Sequence, residues 1–166
     1  MPQPENLKVT LIQTELHWED AAANRTMFEE KIKSLTAETD LIVLPEMFTT
    51  GFTMNAAALA EPNGVETLKW MQRLSLEKDC AITGSVIVEE NGNYYNRLLF
   101  VTPEGLLGAY DKKHTFTLAG EHNTYSAGDK RLIVTYKGWR ICPLVCYDLR
   151  FPVWARNTED YDLLLY

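Results

Sequence analysis

Ile141-Cys142-Pro143-Leu144-Val145-Cys146-Tyr147-Asp148-Leu149-Arg150-Phe151-Pro152 runs from apolar residues into an abrupt polar switch, with a cysteine at the junction. A short continuous apolar run bounded in this way reads as a buried strand ending at a sharp turn. The end of such a strand is where a sheet holds side chains against a cavity. A cysteine taken at random is more often a small buried hydrophobe. Two other segments weigh against that reading here. Leu41-Ile42-Val43-Leu44-Pro45-Glu46 ends an apolar run on a carboxylate, and Gly108-Ala109-Tyr110-Asp111-Lys112-Lys113-His114 follows one with bases. Three chemically useful groups are therefore expected together at strand ends.

Working outward, Leu132 to Tyr136 and Ile141 to Val145 flank a turn at Lys137-Gly138. Lys8 to Gln13 reads as a first strand. Ala21 to Ala37 reads as a helix, with Phe28, Ile32 and Leu35 on one face, and Leu41 to Leu44 as a strand buried on both sides. Glu61-Pro62-Asn63-Gly64 breaks the chain before a second amphipathic helix, Val65 to about Lys78, with Leu68, Met71 and Leu74 inward. Cys80 to Val88 and Tyr94 to Val101 read as neighbouring strands joined at Glu90-Asn91-Gly92-Asn93, and Leu106 to Tyr110 follows as another. Thr115 to Asp129 has little periodicity and reads as a long loop. The alternation points to a layered α/β fold.

The chain has 166 residues, 46% of them hydrophobic, which suits one domain with a core. Sixteen basic against twenty-three acidic residues give a net charge of −7, which argues against a nucleic-acid surface. No apolar run approaches the roughly 20 residues needed to span a bilayer. Met1-Pro2-Gln3-Pro4-Glu5-Asn6 reads as a polar leader without the form of a signal peptide. Three cysteines without framework spacing favour free thiols and a cytoplasmic setting. With His17, His114 and His122 as the only histidines and no paired ligand spacing, no metal site is expected.

The glutamate of Leu44-Pro45-Glu46, the lysine of Lys112-Lys113-His114-Thr115-Phe116 and the cysteine of Cys146-Tyr147-Asp148-Leu149-Arg150-Phe151-Pro152 together resemble the nitrilase superfamily, the carbon–nitrogen hydrolases, in order and separation. The resemblance covers Leu7 to Tyr166. Pro45-Glu46-Met47-Phe48-Thr49-Thr50-Gly51-Phe52 and Ala119-Gly120-Glu121-His122 are similar to bacterial ω-amidases of the 2-oxoglutaramate-hydrolysing type. The resemblance implies an αββα sandwich, of which residues 1–166 are expected to be an N-terminal portion, ending inside the strand Tyr161 to Tyr166. It further implies catalysis without a cofactor on a small-molecule amide, and a homodimer for the complete domain. Thr115, where the family usually has leucine, and Ala127, in place of proline before Gly128, depart from the pattern.

The resemblance also assigns roles. Cys146 is expected to attack as the thiolate; if a helix starts after the turn, its free N–H groups would acidify the thiol, with the Tyr147 backbone N–H facing the oxyanion. Glu46, partly desolvated at a strand end, is expected to accept and return protons. Lys112, the first lysine of the family's K-x-H-x-F pattern, is assigned to the oxyanion; neighbours in an extended segment point to opposite faces, so Lys113 is expected to be a solvated surface charge. Glu121 is expected to orient Lys112 or the hydrolytic water. His114 is expected to support the lysine by a hydrogen bond, and Asp148 with Arg150 to form a structural pair at the turn. Met47, Phe48 and Phe116 are candidates for the lining of a small pocket, with Phe48 and Phe116 as substrate contacts, although aromatics at such positions are as often core. Cys80 reads as core, and Cys142 lies roughly 13 Å along a strand from Cys146, too far to bridge.

The expected activity is hydrolysis of the terminal amide of a small 2-oxo acid to carboxylate and ammonia through a thioester. The alternatives are another branch of the family, acting on nitriles or N-carbamoyl amino acids, and a non-catalytic interaction module.

Overall fold

A computed structural model describes residues 6–166. Apart from Asn6, the polar leader lies outside the described residues. Two sheets carry the fold. The larger has six strands: β1 (Val9–Leu11), β2 (Leu41–Val43), β3 (Glu61–Pro62), β4 (Ala81–Glu90), β5 (Asn93–Thr102) and β6 (Gly105–Asp111). Its order is β1-β2-β4-β5-β6, with β3 also on β4; β1, β2 and β4 are parallel, and β4, β5 and β6 are antiparallel. The smaller sheet is β7 (Val134–Tyr136), β8 (Trp139–Pro143) and β9 (Leu163–Leu165), with β9 parallel to β8.

Alternation along β5 explains the layering. Leu99 and Val101 face helices α1 (Ala21–Ser34) and α3 (Val65–Lys78), in one core with Phe28, Ile32, Met71 and Leu74. Leu98 and Phe100 face the smaller sheet, packing with Tyr110, Val134, Ile141 and Leu144. Both faces of the large sheet are thus buried, as the apolar runs predicted. The layered α/β expectation holds, with two facing sheets as in an αββα sandwich. Helix α4 (Pro152–Ala155) is four residues long and adds Ala155 to the cluster that contains Leu98, Ile141 and Leu144.

Helix α3 has the predicted limits, closed by Asp79 in the left-handed conformation. Helix α1 starts where the Asp20 side chain accepts the Ala23 N–H, and stops at Ser34, three residues before the predicted end. The Lys78 ammonium donates to the carbonyls of Lys33 and Leu35, so α3 caps α1. A four-residue helix, α2 (Ala56–Leu59), and the strand β3 were not expected from the pattern, both being too short to show a period. The region Thr115 to Asp129 is a loop with two single-turn 3₁₀ segments, Thr117–Ala119 and Glu121–Asn123.

Two glycines admit the close approaches that build the site. A Cβ on Gly84 would stand 2.9 Å from Leu44 Cβ and from Phe48 Cδ1, so its absence lets the segment after β2 lie on β4. A Cβ on Gly128 would stand 2.1 Å from the Asp111 carbonyl oxygen, where the long loop crosses the end of β6.

Candidate active site

Glu46 sits just beyond β2, on a turn pinned to β4. Leu44 donates its N–H to the Thr83 carbonyl at 2.7 Å, Met47 to Ser85 Oγ at 2.9 Å, and Phe48 to the Ser85 carbonyl at 3.1 Å. Met47 takes a φ of 46°, which turns the chain sharply and leaves the Glu46 side chain at the strand end. Lys112 follows β6 and is tied on both sides: its N–H donates to the Asn96 carbonyl, and its carbonyl accepts from Gly128 N–H, each at 3.0 Å. Glu121 opens the second 3₁₀ turn and is fully buried.

These three side chains meet. Lys112 Nζ, on a residue 1% exposed, donates to Glu46 Oε1 at 2.7 Å and to Glu121 Oε2 and Oε1 at 2.8 and 3.1 Å. Burial alone would lower the Lys112 ammonium, but Glu46 and Glu121 outweigh it and hold it above the ordinary lysine value. The ammonium also lies 5.3 Å from the centre of the Phe52 ring. Lys113, on the bend after β6, stays out of the cluster but is half-buried instead of fully solvated, with its ammonium 5.6 Å from the centre of the Trp154 ring.

Cys146 stands at the elbow after β8 with a φ of 40°, a strained conformation for a residue with a Cβ. It is the exposed cysteine; Cys80 and Cys142 are buried and free. A cavity of about 80 Å³ has both Glu46 and Cys146 on its wall. Although the residue is exposed as a whole, the protein packed against its thiol and the neighbouring Glu46 carboxylate push it up to about 11. The expectation of a thiol acidified by the following helix is therefore corrected. That helix is a short 3₁₀ segment, Cys146–Arg150, and the opposing burial and carboxylate prevail. The arrangement holds a neutral thiol beside a carboxylate that can take its proton. The Tyr147 N–H precedes the first bond of the 3₁₀ segment, Asp148 N–H to the Val145 carbonyl, and is left without a partner within it.

Three other expectations change. Phe48 does not line the cavity: it is fully buried in the helix-facing core, edge-on to Phe28 at 5.5 Å and against Trp70 at 5.8 Å. Met47 is likewise fully buried. Phe116 is half-buried, with its ring 4.9 Å from Tyr147 and 6.4 Å from Phe52, and its N–H donates to Glu121. His114 does not reach the lysine. Its Nδ1 is 2.7 Å from Asp148 Oδ1, and its ring stacks on Phe151 at 3.7 Å. Asp148 pairs with this histidine and with Tyr110 Oη at 2.7 Å, and accepts the N–H groups of Val145 and His114. Arg150 is exposed and takes no part.

Sequence reasoning missed Asn96, whose Nδ2 donates to Glu46 Oε1 at 2.8 Å and to Glu121 Oε1 at 3.3 Å. Its signal was an amide in mid-strand, a residue type depleted there. Among the described residues no group of three or more His, Cys, Asp or Glu is placed to hold a metal ion, and no helix is long and apolar enough to cross a membrane.

Residues 8–166 match the family described as carbon-nitrogen hydrolase. The chain belongs to the carbon–nitrogen hydrolases. It is 51% identical over 160 residues to omega-amidase YafV of Yersinia enterocolitica, a match covering 96% of the chain and 62% of that protein. It is 31% identical over 152 residues to 2-oxoglutaramate amidase of Bacillus subtilis, covering 90% of the chain and 59% of that enzyme. Among solved structures, XC1258 from Xanthomonas campestris, a CN-hydrolase superfamily protein carrying an arsenic adduct in its active site, superposes with a TM-score of 0.91 at 43% identity. That match covers 95% of this carbon–nitrogen hydrolase chain and 63% of the other. The chain thus spans less than two thirds of the length of these relatives.

Proposed function

We propose that the protein is a cysteine-dependent amidase that hydrolyses the terminal amide of a small 2-oxo acid, of the 2-oxoglutaramate kind, to carboxylate and ammonia. The observation that carries the reading is the buried Lys112 ammonium held between Glu46 and Glu121, with Glu46 sharing a cavity wall with Cys146. The likeness to omega-amidase YafV supports the amide, and the likeness to 2-oxoglutaramate amidase supports the substrate class.

The geometry supports the following chemistry. Glu46 takes the Cys146 proton as sulfur attacks the amide carbon, so the thiolate exists only as the bond forms. Lys112 and the Tyr147 N–H stabilise the negative oxygen of the tetrahedral intermediate. Glu46 returns the proton to nitrogen, the C–N bond breaks, and ammonia leaves a thioester on Cys146. Glu46 then takes a proton from the water attacking the thioester and passes it to the Cys146 sulfur as the C–S bond breaks, which frees the carboxylate product and restores the thiol. Glu121 keeps Lys112 aimed and charged throughout.

The test is ammonia release from 2-oxoglutaramate by the wild-type protein and by Cys146→Ser. Turnover lost in the folded serine variant, and a wild-type thioester detected by mass, are expected. Activity retained in Cys146→Ser, or wild-type turnover of nitriles in preference to amides, would overturn the reading.

A further inference from the structure

We infer that Asn96 is a positioning residue that orients the Glu46 carboxylate toward the Cys146 thiol, an inference that rests on the proposed amidase chemistry. Asn96 lies in mid β5, 1% exposed, and touches every member of the buried cluster. Its carbonyl accepts the Lys112 N–H, and its Nδ2 donates to both Glu46 and Glu121. Nδ2 is the amide atom that faces the two glutamates, and Oδ1 faces away from them.

Oδ1 is then buried with no hydrogen-bond partner. Protein interiors rarely leave an acceptor so. The amide is therefore poorly placed for the fold and well placed for the two glutamates.

Charge gives the reason for an amide. Two carboxyl groups, Glu46 and Glu121, share one ammonium, Lys112, at 2.7 and 2.8 Å. A side chain with two N–H groups and no charge bridges the pair without altering that balance. Geometry supplies the function. The hydrogen bonds from Lys112 and Asn96 to Glu46 both fall on Oε1. One donor leaves a carboxylate free to rotate about the contact; two donors from different directions fix its plane. Oε2 is thereby kept for the thiol proton.

The test is Asn96→Leu, which resembles asparagine in size and removes the donor and the orphan acceptor together. For ammonia release from 2-oxoglutaramate, kcat is expected to fall about 10–100-fold with KM changed less than about threefold, as for an interaction needed in the transition state. The second readout is the pH dependence of iodoacetamide alkylation at Cys146. Its midpoint is expected to fall below the wild-type midpoint, because a Glu46 carboxylate held beside the thiol keeps that midpoint high. This readout needs no turnover. If the wild-type protein releases no ammonia, the proposed function fails while the alkylation profile still decides the role of Asn96. Wild-type kcat, or an unchanged or raised midpoint, in folded Asn96→Leu overturns the inference. If that variant does not fold, Asn96→Ser, too short to reach both carboxylates, must show the same split. A lowered melting temperature with both readouts unmoved makes Asn96 structural and overturns it too.

Discussion

Iodoacetamide reports on the Cys146 thiol alone, because Cys80 and Cys142 are buried. With the thiol pushed up to about 11, the thiolate fraction at pH 8 is about 0.1%, against about 10% for a thiol at the reference value of 9.0. The rarer thiolate is the better nucleophile, by about eightfold for two units at a Brønsted slope near 0.45. The net expectation is alkylation about tenfold slower at pH 8 than for an ordinary thiol. The rate should climb about tenfold per pH unit and level off only near pH 11. Glu46→Gln removes a charge that disfavours the thiolate, so the levelling-off moves to lower pH and labelling at pH 8 speeds up. The same variant should lose about 10²–10⁴-fold in turnover, because no base remains to pass the proton. Stopped-flow or mass-resolved alkylation from pH 6 to 11.5 measures both proteins. A plateau already reached by pH 7.5 in the wild type would refute the reasoning, since it would place a resting thiolate beside Lys112.

Lys112→Met should cost at least about 100-fold in kcat, the scale of a lost oxyanion donor, whereas Lys113→Ala should stay within about threefold; steady-state kinetics separates them. Asp148→Ala removes the acceptor for Tyr110, Val145 and His114 inside the core, and is expected to lower stability by about 3–5 kcal/mol in denaturant unfolding. Gly84→Ala forces a methyl to within 2.9 Å of Leu44 and Phe48, and should cost about 1–3 kcal/mol with reduced turnover, because the same contact seats the segment carrying Glu46.

The sequence by itself determined the layered fold and marked which side chains are candidates for the chemistry. Apolar runs ending on Glu46 and Cys146, and the lysines following another, are local patterns: a strand buried on both faces must be apolar along its length, so a polar switch marks where it meets a cavity. The order of residues in Lys112-Lys113-His114-Thr115-Phe116 singled out the first lysine, because a motif is matched position by position.

The tertiary structure alone decided what these residues touch. Phe48 follows an irregular turn through Met47, so no period fixed its face; the missing Cβ of Gly84 admits its ring to the core. Asp148 is two residues from Arg150, yet its partners Tyr110 and His114 come from more than thirty residues away in sequence. The resting thiol followed the same rule: a helix start suggested acidity, but burial and the facing Glu46, brought in from the other sheet, set the opposite sign. Asn96 gained its place in the same way, between two carboxylates fifty and twenty-five residues distant. Hydrogen-bond partners and desolvation are properties of three-dimensional neighbours, which a linear pattern does not encode.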